Sequence, residues 1–177
     1  VLKIKEKIQK NEIKLPCKGF AWYSDGLLNN ASHLFDLIEF LLGDFERYQI
    51  INDSKFNKSE PNFLSIFNKG EVIFQSLDEF NYSSLGFELF FSNGKLKYDN
   101  FGWDIKWHSI VSDKDFENYK VINNKFISIE SEMDKYQLNV LNMIKNEFRK
   151  KKSYLCSGNQ ALATIKALNS INSELKI

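Results

Sequence analysis

The stretch Gly26–Gly43, GLLNNASHLFDLIEFLLG, constrains the fold of this chain more than any other. Read as one helix, it puts Leu27, Leu28, Ala31, Leu34, Phe35, Leu37, Ile38, Leu41 and Leu42 on one half-circle with no polar residue among them. A helix with that much apolar surface must lie against something large. The opposite side carries a narrow stripe of Asn29, His33 and Asp36. At about 100° per residue, His33 falls roughly 40° to one side of Asn29 and Asp36 roughly 20° to the other. Asn30, Ser32 and Glu39 flank the stripe. An imidazole, a carboxylate and an amide held together need partners from protein, water or ligand. Ser24-Asp25-Gly26 reads as the turn into this helix, and Gly43 stands where a left-handed residue closes one.

Periodicity supplies the surroundings. Leu2–Glu12 is predicted as a short amphipathic helix through Leu2, Ile4 and Ile8. It begins at the first residue with no capping residue ahead of it, so the expectation is a chain cut from something longer, although removal of a tag would look the same. Lys14–Tyr23 is a strand, its start confined by Pro16 to an edge or lead-in position. From Phe45 to Asn124 the period drops to two. Strands are predicted over Arg47–Ile51, Asn62–Phe67, Glu71–Leu77, Leu85–Phe91, Lys95–Tyr98, Trp103–His108 and Tyr119–Ile122. Asn68-Lys69-Gly70 and Ser92-Asn93-Gly94 close two hairpins, and Asn93-Gly94 predicts a type I′ turn with both residues at positive φ. Glu132–Lys151 returns to helix, with Met133, Tyr136, Val140, Ile144 and Phe148 as its inward stripe. Ser157-Gly158-Asn159-Gln160 fits a capping box for a last helix to about Ser173, with Ala161, Ile165, Leu168 and Ile171 inward. This order predicts an α+β fold: an open, largely antiparallel β-sheet with helices on one face. Ile73-Phe74 and Phe87–Phe91 leave neither sheet face polar, so the outer face is the expected surface for homo-oligomer formation.

Composition removes several function classes. A length of 177 residues predicts one domain, 1–177. A net charge of +1 gives no footprint for nucleic acid. The one basic run, Arg149-Lys150-Lys151-Lys152, sits at a predicted helix end, where cations favour the dipole. No apolar run approaches the ~18 residues needed to span a bilayer, and no signal peptide is visible, so no membrane association and a cytoplasmic location are expected. Two cysteines, Cys17 and Cys156, make neither a disulfide framework nor a metal cluster. Gly-x-Gly-x-x-Gly, Walker A, His-Glu-x-x-His, Cys-x-x-Cys and Gly-x-Ser-x-Gly are all absent, so no dinucleotide or phosphate loop is expected in this chain. His108, on the alternating strand Trp103–His108 and on the same face as Asp104 and Lys106, reads as a surface-sheet histidine. The stripe leaves two readings open. A neutral His33 takes a proton from an alcohol while Asp36 orients a neighbouring hydroxyl. Alternatively, Asp36 pairs with His33 at i, i+3 and loops satisfy the rest.

The block Gly26–Leu37, followed by Leu41-Leu42-Gly43-Asp44, resembles the start of the C-terminal domain in the glucose-fructose oxidoreductase / inositol dehydrogenase family (Gfo/Idh/MocA). Its pattern is Gly-x-Leu-x-Asp-x-Gly-x-His-x-x-Asp-Leu, then Leu-Leu-Gly. Leu2–Ile13 and Ser157–Ser173 resemble the helices that open and close that domain. The resemblance implies a glyceraldehyde-3-phosphate dehydrogenase-like C-terminal domain. It also implies a role in an NAD(P)-dependent oxidoreductase acting on sugars or cyclitols. The family's N-terminal Rossmann domain supplies the NAD or NADP site and a Glu-Lys-Pro lysine. Both are missing here, so this chain alone is expected to bind no cofactor and to be inactive. Carried over, His33 is the catalytic proton-transferring residue, and Asp36 and Asn29 bind the sugar-like substrate. Asn29 stands where many members have aspartate; an amide donates to a hydroxyl but takes no proton. Tyr23, after Trp22, stands where members often have arginine beside the substrate. The alternative expectation is a non-enzymatic self-associating or carbohydrate-binding module derived from that family.

Overall fold

A computed structural model describes residues 1–51, 60–77 and 82–174. The chain is α+β, with an open and largely antiparallel sheet. Its helices are α1 (Leu2–Gln9), a π-helix (Gly26–Ala31) that runs into α2 (Ser32–Leu42), α3 (Tyr136–Phe148) and α4 (Gly158–Glu174). Its strands are β1 (Cys17–Tyr23), β2 (Phe45–Ile50), β3 (Phe63–Phe67), β4 (Gly70–Ser76), β5 (Leu85–Phe91), β6 (Gly94–Asp99), β7 (Asp104–Ser112), β8 (Lys120–Ile122) and β9 (Ile127–Ser128). Among the described residues these nine form one sheet in the order β2-β3-β4-β1-β5-β6-β7-β8, with β9 also paired to β7. Pro16 therefore leads into a central strand, not an edge. β1 runs parallel to β4 and antiparallel to β5. The parallel pair arises because α2, β2 and β3 intervene before the chain returns as β4.

The phenylalanine content builds the layer between sheet and helix. Phe63 lies opposite Phe74 across β3–β4, with ring centroids 4.8 Å apart. Phe87 lies opposite Tyr98 across β5–β6 at the same separation. Phe35 of α2 drops onto this layer, its ring 5.4 Å from Phe67 and 5.7 Å from Phe74. Leu34, Ile38, Leu41 and Leu42 bury the rest of the helix stripe. The C-terminal end of α2 is pinned twice. Gly43 adopts φ +89° as the closing residue. Lys5 of α1 donates to the carbonyls of Phe40 and Leu41, placing a cation at the negative helix end.

Two turns differ from expectation. Both hairpins form, but the strands close at Phe91↔Gly94 and Phe67↔Gly70, leaving Ser92-Asn93 and Asn68-Lys69 as the turn pairs. Neither Asn93 nor Gly94 has positive φ, so the turn is not type I′. Gly94 is required for space instead: a Cβ there would lie 2.3 Å from the Trp107 ring and 2.4 Å from the His108 carbonyl.

The last two helices are also only partly as expected. The capping box at α4 is present: Gln160 N donates to Ser157 Oγ at 3.3 Å, and Ser157 N to Gln160 Oε1 at 2.8 Å. Leu168 and Ile171 are buried, but Ala161 and Ile165 are exposed, and Thr164 faces inward in their stead. In α3 the expected inward stripe meets no core. Tyr136, Val140, Ile144 and Phe148 are all exposed, Phe148 to 86%.

The outer sheet face is apolar in patches. Phe20, Ile73 and Phe90 are exposed there, with Phe20 6.3 Å from Phe90. The Lys18–Glu71 and Lys95–Glu88 ion pairs flank them.

Candidate functional site

The turn from β1 into the π-helix is built by hydrogen bonds from three chain segments. Ser24 N donates to the Ser84 carbonyl at 2.9 Å, and Ser84 N returns a bond to Ser24 Oγ at 2.8 Å. Asp25 then adopts the left-handed conformation, φ 60°, ψ 25°, one of the residue types that tolerates it. Its carboxylate caps no helix amide. It accepts from Ser24 Oγ, from Asn30 Nδ2 at 3.0 Å and from Ser83 Oγ. Gly26 follows at φ +92°. The Leu27 amide is taken by Glu60 Oε2 at 2.8 Å. The predicted single helix Gly26–Gly43 is thus two joined elements, π then α.

That junction rearranges the polar stripe. Asn29 lies in the π-helix and is exposed, its carbonyl accepting from Ser32 Oγ at 2.7 Å. His33 begins α2 one turn further on and is also exposed. Its ring makes no hydrogen bond or ion pair to any described residue. Asp36 is half-buried and accepts from the Cys156 thiol at 3.5 Å. The alternative of a His33–Asp36 pair is therefore replaced by a contact 120 residues away in sequence. Asp36 also turns into a groove of about 980 Å³ shared with Phe40, Phe45, Met143, Tyr154 and Cys156. Asn29 and His33 do not line that groove.

Tyr23 is not beside these residues. Its side chain is fully buried on the helix-covered face of the sheet, and its hydroxyl donates to the Pro61 carbonyl at 2.5 Å. Alternation on β1 explains this: Cys17, Ala21 and Tyr23 share the inward face, while Phe20 points outward. His108 is half-buried, with Nδ1 2.9 Å from the Asn123 carbonyl and its ring against Phe126. Among the described residues no group of three His, Cys, Asp or Glu is arranged to hold a metal. No helix among them is long and apolar enough to cross a membrane.

Two cysteines report on this geometry. Cys17 is 3% exposed, and burial pushes its thiol up to about 12. Cys156 is exposed; partial burial first, then the Asp36 charge, raise its thiol above the ordinary value. The thiolate is the reacting form. One slowly alkylated thiol is therefore expected in the folded chain, and a second only after unfolding. Asp36→Asn should accelerate the first at pH 8, because it removes a charge that disfavours the thiolate. Alkylation rates by mass spectrometry check both, and an unchanged rate in D36N would show that the Asp36–Cys156 contact is not formed.

No protein-family model and no curated protein sequence matches the chain. Its fold, however, is shared with solved oxidoreductase structures. An oxidoreductase domain protein from Kribbella flavida superposes with a TM-score of 0.71 at 12% identity, over 99% of this chain and 61% of that one. An NAD-binding oxidoreductase from Klebsiella pneumoniae gives 0.69 at 12% identity, over 98% and 60%. A levoglucosan dehydrogenase in complex with NADH gives 0.66 at 11% identity, over 97% and 60%. The chain spans about three fifths of the length of these structures. At such identities the likeness establishes the fold: the α+β architecture of the C-terminal domain of those oxidoreductases.

Proposed function

We propose that this chain is the C-terminal, substrate-binding domain of a cytoplasmic NAD(P)-dependent oxidoreductase of the Gfo/Idh/MocA type, acting on a CH–OH group of a sugar or cyclitol and inactive without its nucleotide-binding domain. The observation that carries this reading is His33: an exposed imidazole with no hydrogen-bond or ion-pair partner among the described residues, on the helix that follows β1 in an oxidoreductase fold. His33 accepts the substrate hydroxyl proton. Asn29 holds a hydroxyl through its amide without taking a proton. Asp36, steadied by Cys156, accepts from a second hydroxyl. Tyr23, with its hydroxyl committed to Pro61, stays in the core.

At the start of the candidate helix the described residues do not fit a dinucleotide. The turn from β1 into the π-helix lacks the glycine-rich sequence, and its leading amide already holds the Glu60 carboxylate, which would repel a pyrophosphate. The cofactor site is therefore assigned to a separate Rossmann domain. The open stripe of α3 supports a missing partner, because a helix of 13 residues with its apolar side in water is marginal by itself. The decisive test is the coding sequence ahead of Val1. About 120 residues with a glycine-rich βα turn and a Glu-Lys-Pro motif are expected there. Their absence overturns the enzyme reading.

Asn29 in place of a carboxylate favours a second reading, a non-enzymatic self-associating or carbohydrate-binding module. Sugar binding by this chain alone, measured by calorimetry, would select it. Both readings use the outer sheet face for self-association. Light scattering should give a dimer or larger species, and Phe20→Glu should return it to monomer by placing a charge in the centre of the apolar patch. A monomeric unmutated chain removes this part of the proposal.

A further inference from the structure

Glu60 and Asp25 belong to no motif, yet they are the two carboxylates that meet the element bearing Asn29. A π-helix is rare, and its hydrogen bonds close over one residue more than those of an α-helix. The sequence Gly26–Ala31 has no evident reason to prefer it, since Leu27, Leu28 and Ala31 all suit an α-helix. The surroundings supply the reason. The Leu27 amide, one of the donors left free at a helix start, goes to Glu60 Oε2 at 2.8 Å, from 33 residues away. Asn30, on the same turn, is tied by its amide to Asp25 Oδ2 at 3.0 Å, and Ser83 Oγ donates to the same oxygen.

The two anchors are themselves fixed. Tyr23 Oη donates to the Pro61 carbonyl at 2.5 Å, and Ser76 N donates to Asn62 Oδ1 at 2.8 Å, so residues 60–62 are held against β1 and β4. Asp25 is held by Ser24, which is bonded to Ser84 through both backbone and side chain. The geometric consequence falls on the site. Continuous α-helix would leave Asn29 and His33 about 40° apart. The wider π turn advances fewer degrees per residue and brings Asn29 back toward the line of His33.

We infer that Glu60 and Asp25 are positioning residues that hold Gly26–Ala31 in its π conformation and so set the Asn29 amide beside the His33 ring. The inference rests on the proposed function only in taking Asn29 and His33 as the site; the geometry of the turn stands without it. It deepens that proposal by adding two residues that touch no substrate and act through the turn.

The test uses the 177-residue chain in solution. In Glu60→Ala the Leu27 amide should exchange with solvent at least about tenfold faster, as loss of one charge-assisted hydrogen bond implies. The Asn29 side-chain amide and His33 ring resonances should shift in the same spectra. Glu60→Gln keeps an acceptor oxygen and should restore most of the protection and the resonance positions, a rescue that a loss of general stability would not show. Asn30→Ala, which cuts the tie to Asp25 without touching the core, should move the same two resonances and serves if Glu60→Ala does not fold. Glu71→Ala, on the outer sheet face, should move neither. Unchanged Leu27 exchange and unchanged Asn29 and His33 resonances in both Glu60→Ala and Asn30→Ala would overturn the inference. That outcome would leave the enzyme proposal standing, because that proposal is decided by the sequence ahead of Val1 and by turnover.

Discussion

In the complete oxidoreductase proposed above, His33→Ala is expected to lower turnover by about 10²-fold or more while leaving the fold intact. The size follows from the role: a positioned proton acceptor contributes about 10²–10⁴-fold, and each tenfold is about 1.36 kcal/mol of barrier. The specificity follows from the structure. His33 is exposed and makes no hydrogen bond or ion pair to any described residue, so its removal breaks no core contact. A surface substitution of that kind usually changes stability by less than about 0.5 kcal/mol. Melting temperature should therefore stay put while kcat falls. Asn29→Asp supplies the companion measurement. A carboxylate one turn before His33 stabilises the imidazolium that forms when the ring takes a proton. It should raise kcat and move the acidic limb of the pH–rate profile to higher pH. Unchanged turnover in His33→Ala would remove His33 from the chemistry, whatever the rest of the chain does.

His33 shows how far sequence carries. The residue was legible because it shares a narrow polar stripe with Asn29 and Asp36 on a helix whose other half is apolar, and its exposure agrees with a stripe on the face away from Leu34, Phe35, Ile38 and Leu41. Its neighbours were less so. Asp36 meets Cys156 across 120 residues, and the Leu27 amide meets Glu60 across 33, and no local period encodes contacts at such range. Tyr23 was assigned from its place beside Trp22, but strand alternation, equally readable, puts it inside. The fold divides the same way. Strands and hairpins followed from period-two patterning, whereas Gly94 looked like a turn glycine and is in fact a space requirement imposed by Trp107 on the next strand. The stripe of α3 correctly announced a helix. Its partner is what the pattern cannot name, because periodicity reports that a face is apolar and not what covers it.

The same contrast between covered and uncovered faces yields the largest stability effect. Phe35→Ala should destabilise the chain by about 3–5 kcal/mol, the range for deleting a buried aromatic ring. Phe35 is 0% exposed and sits among Phe45, Phe67 and Phe74 at centroid distances of 5.2, 5.4 and 5.7 Å. Its truncation therefore removes hydrophobic burial and three ring–ring contacts at once. The void would open between α2 and strands whose rings are locked by cross-strand pairing, Phe63 with Phe74 among them, so collapse is poor and the cavity cost is high. For a domain this size the expected drop in Tm is on the order of 10 °C. Phe148→Ala is the matched comparison: the same chemical deletion at a side chain 86% exposed, expected to change stability of this chain by less than about 0.5 kcal/mol. In the complete protein the two should diverge less, because the proposed nucleotide-binding domain would cover α3 and make Phe148 costly to lose. Denaturant melts of both variants in both forms decide it. A Phe148→Ala cost of several kcal/mol in the chain alone would mean that α3 already has a partner within these residues, and the face assigned to a missing domain would be closed.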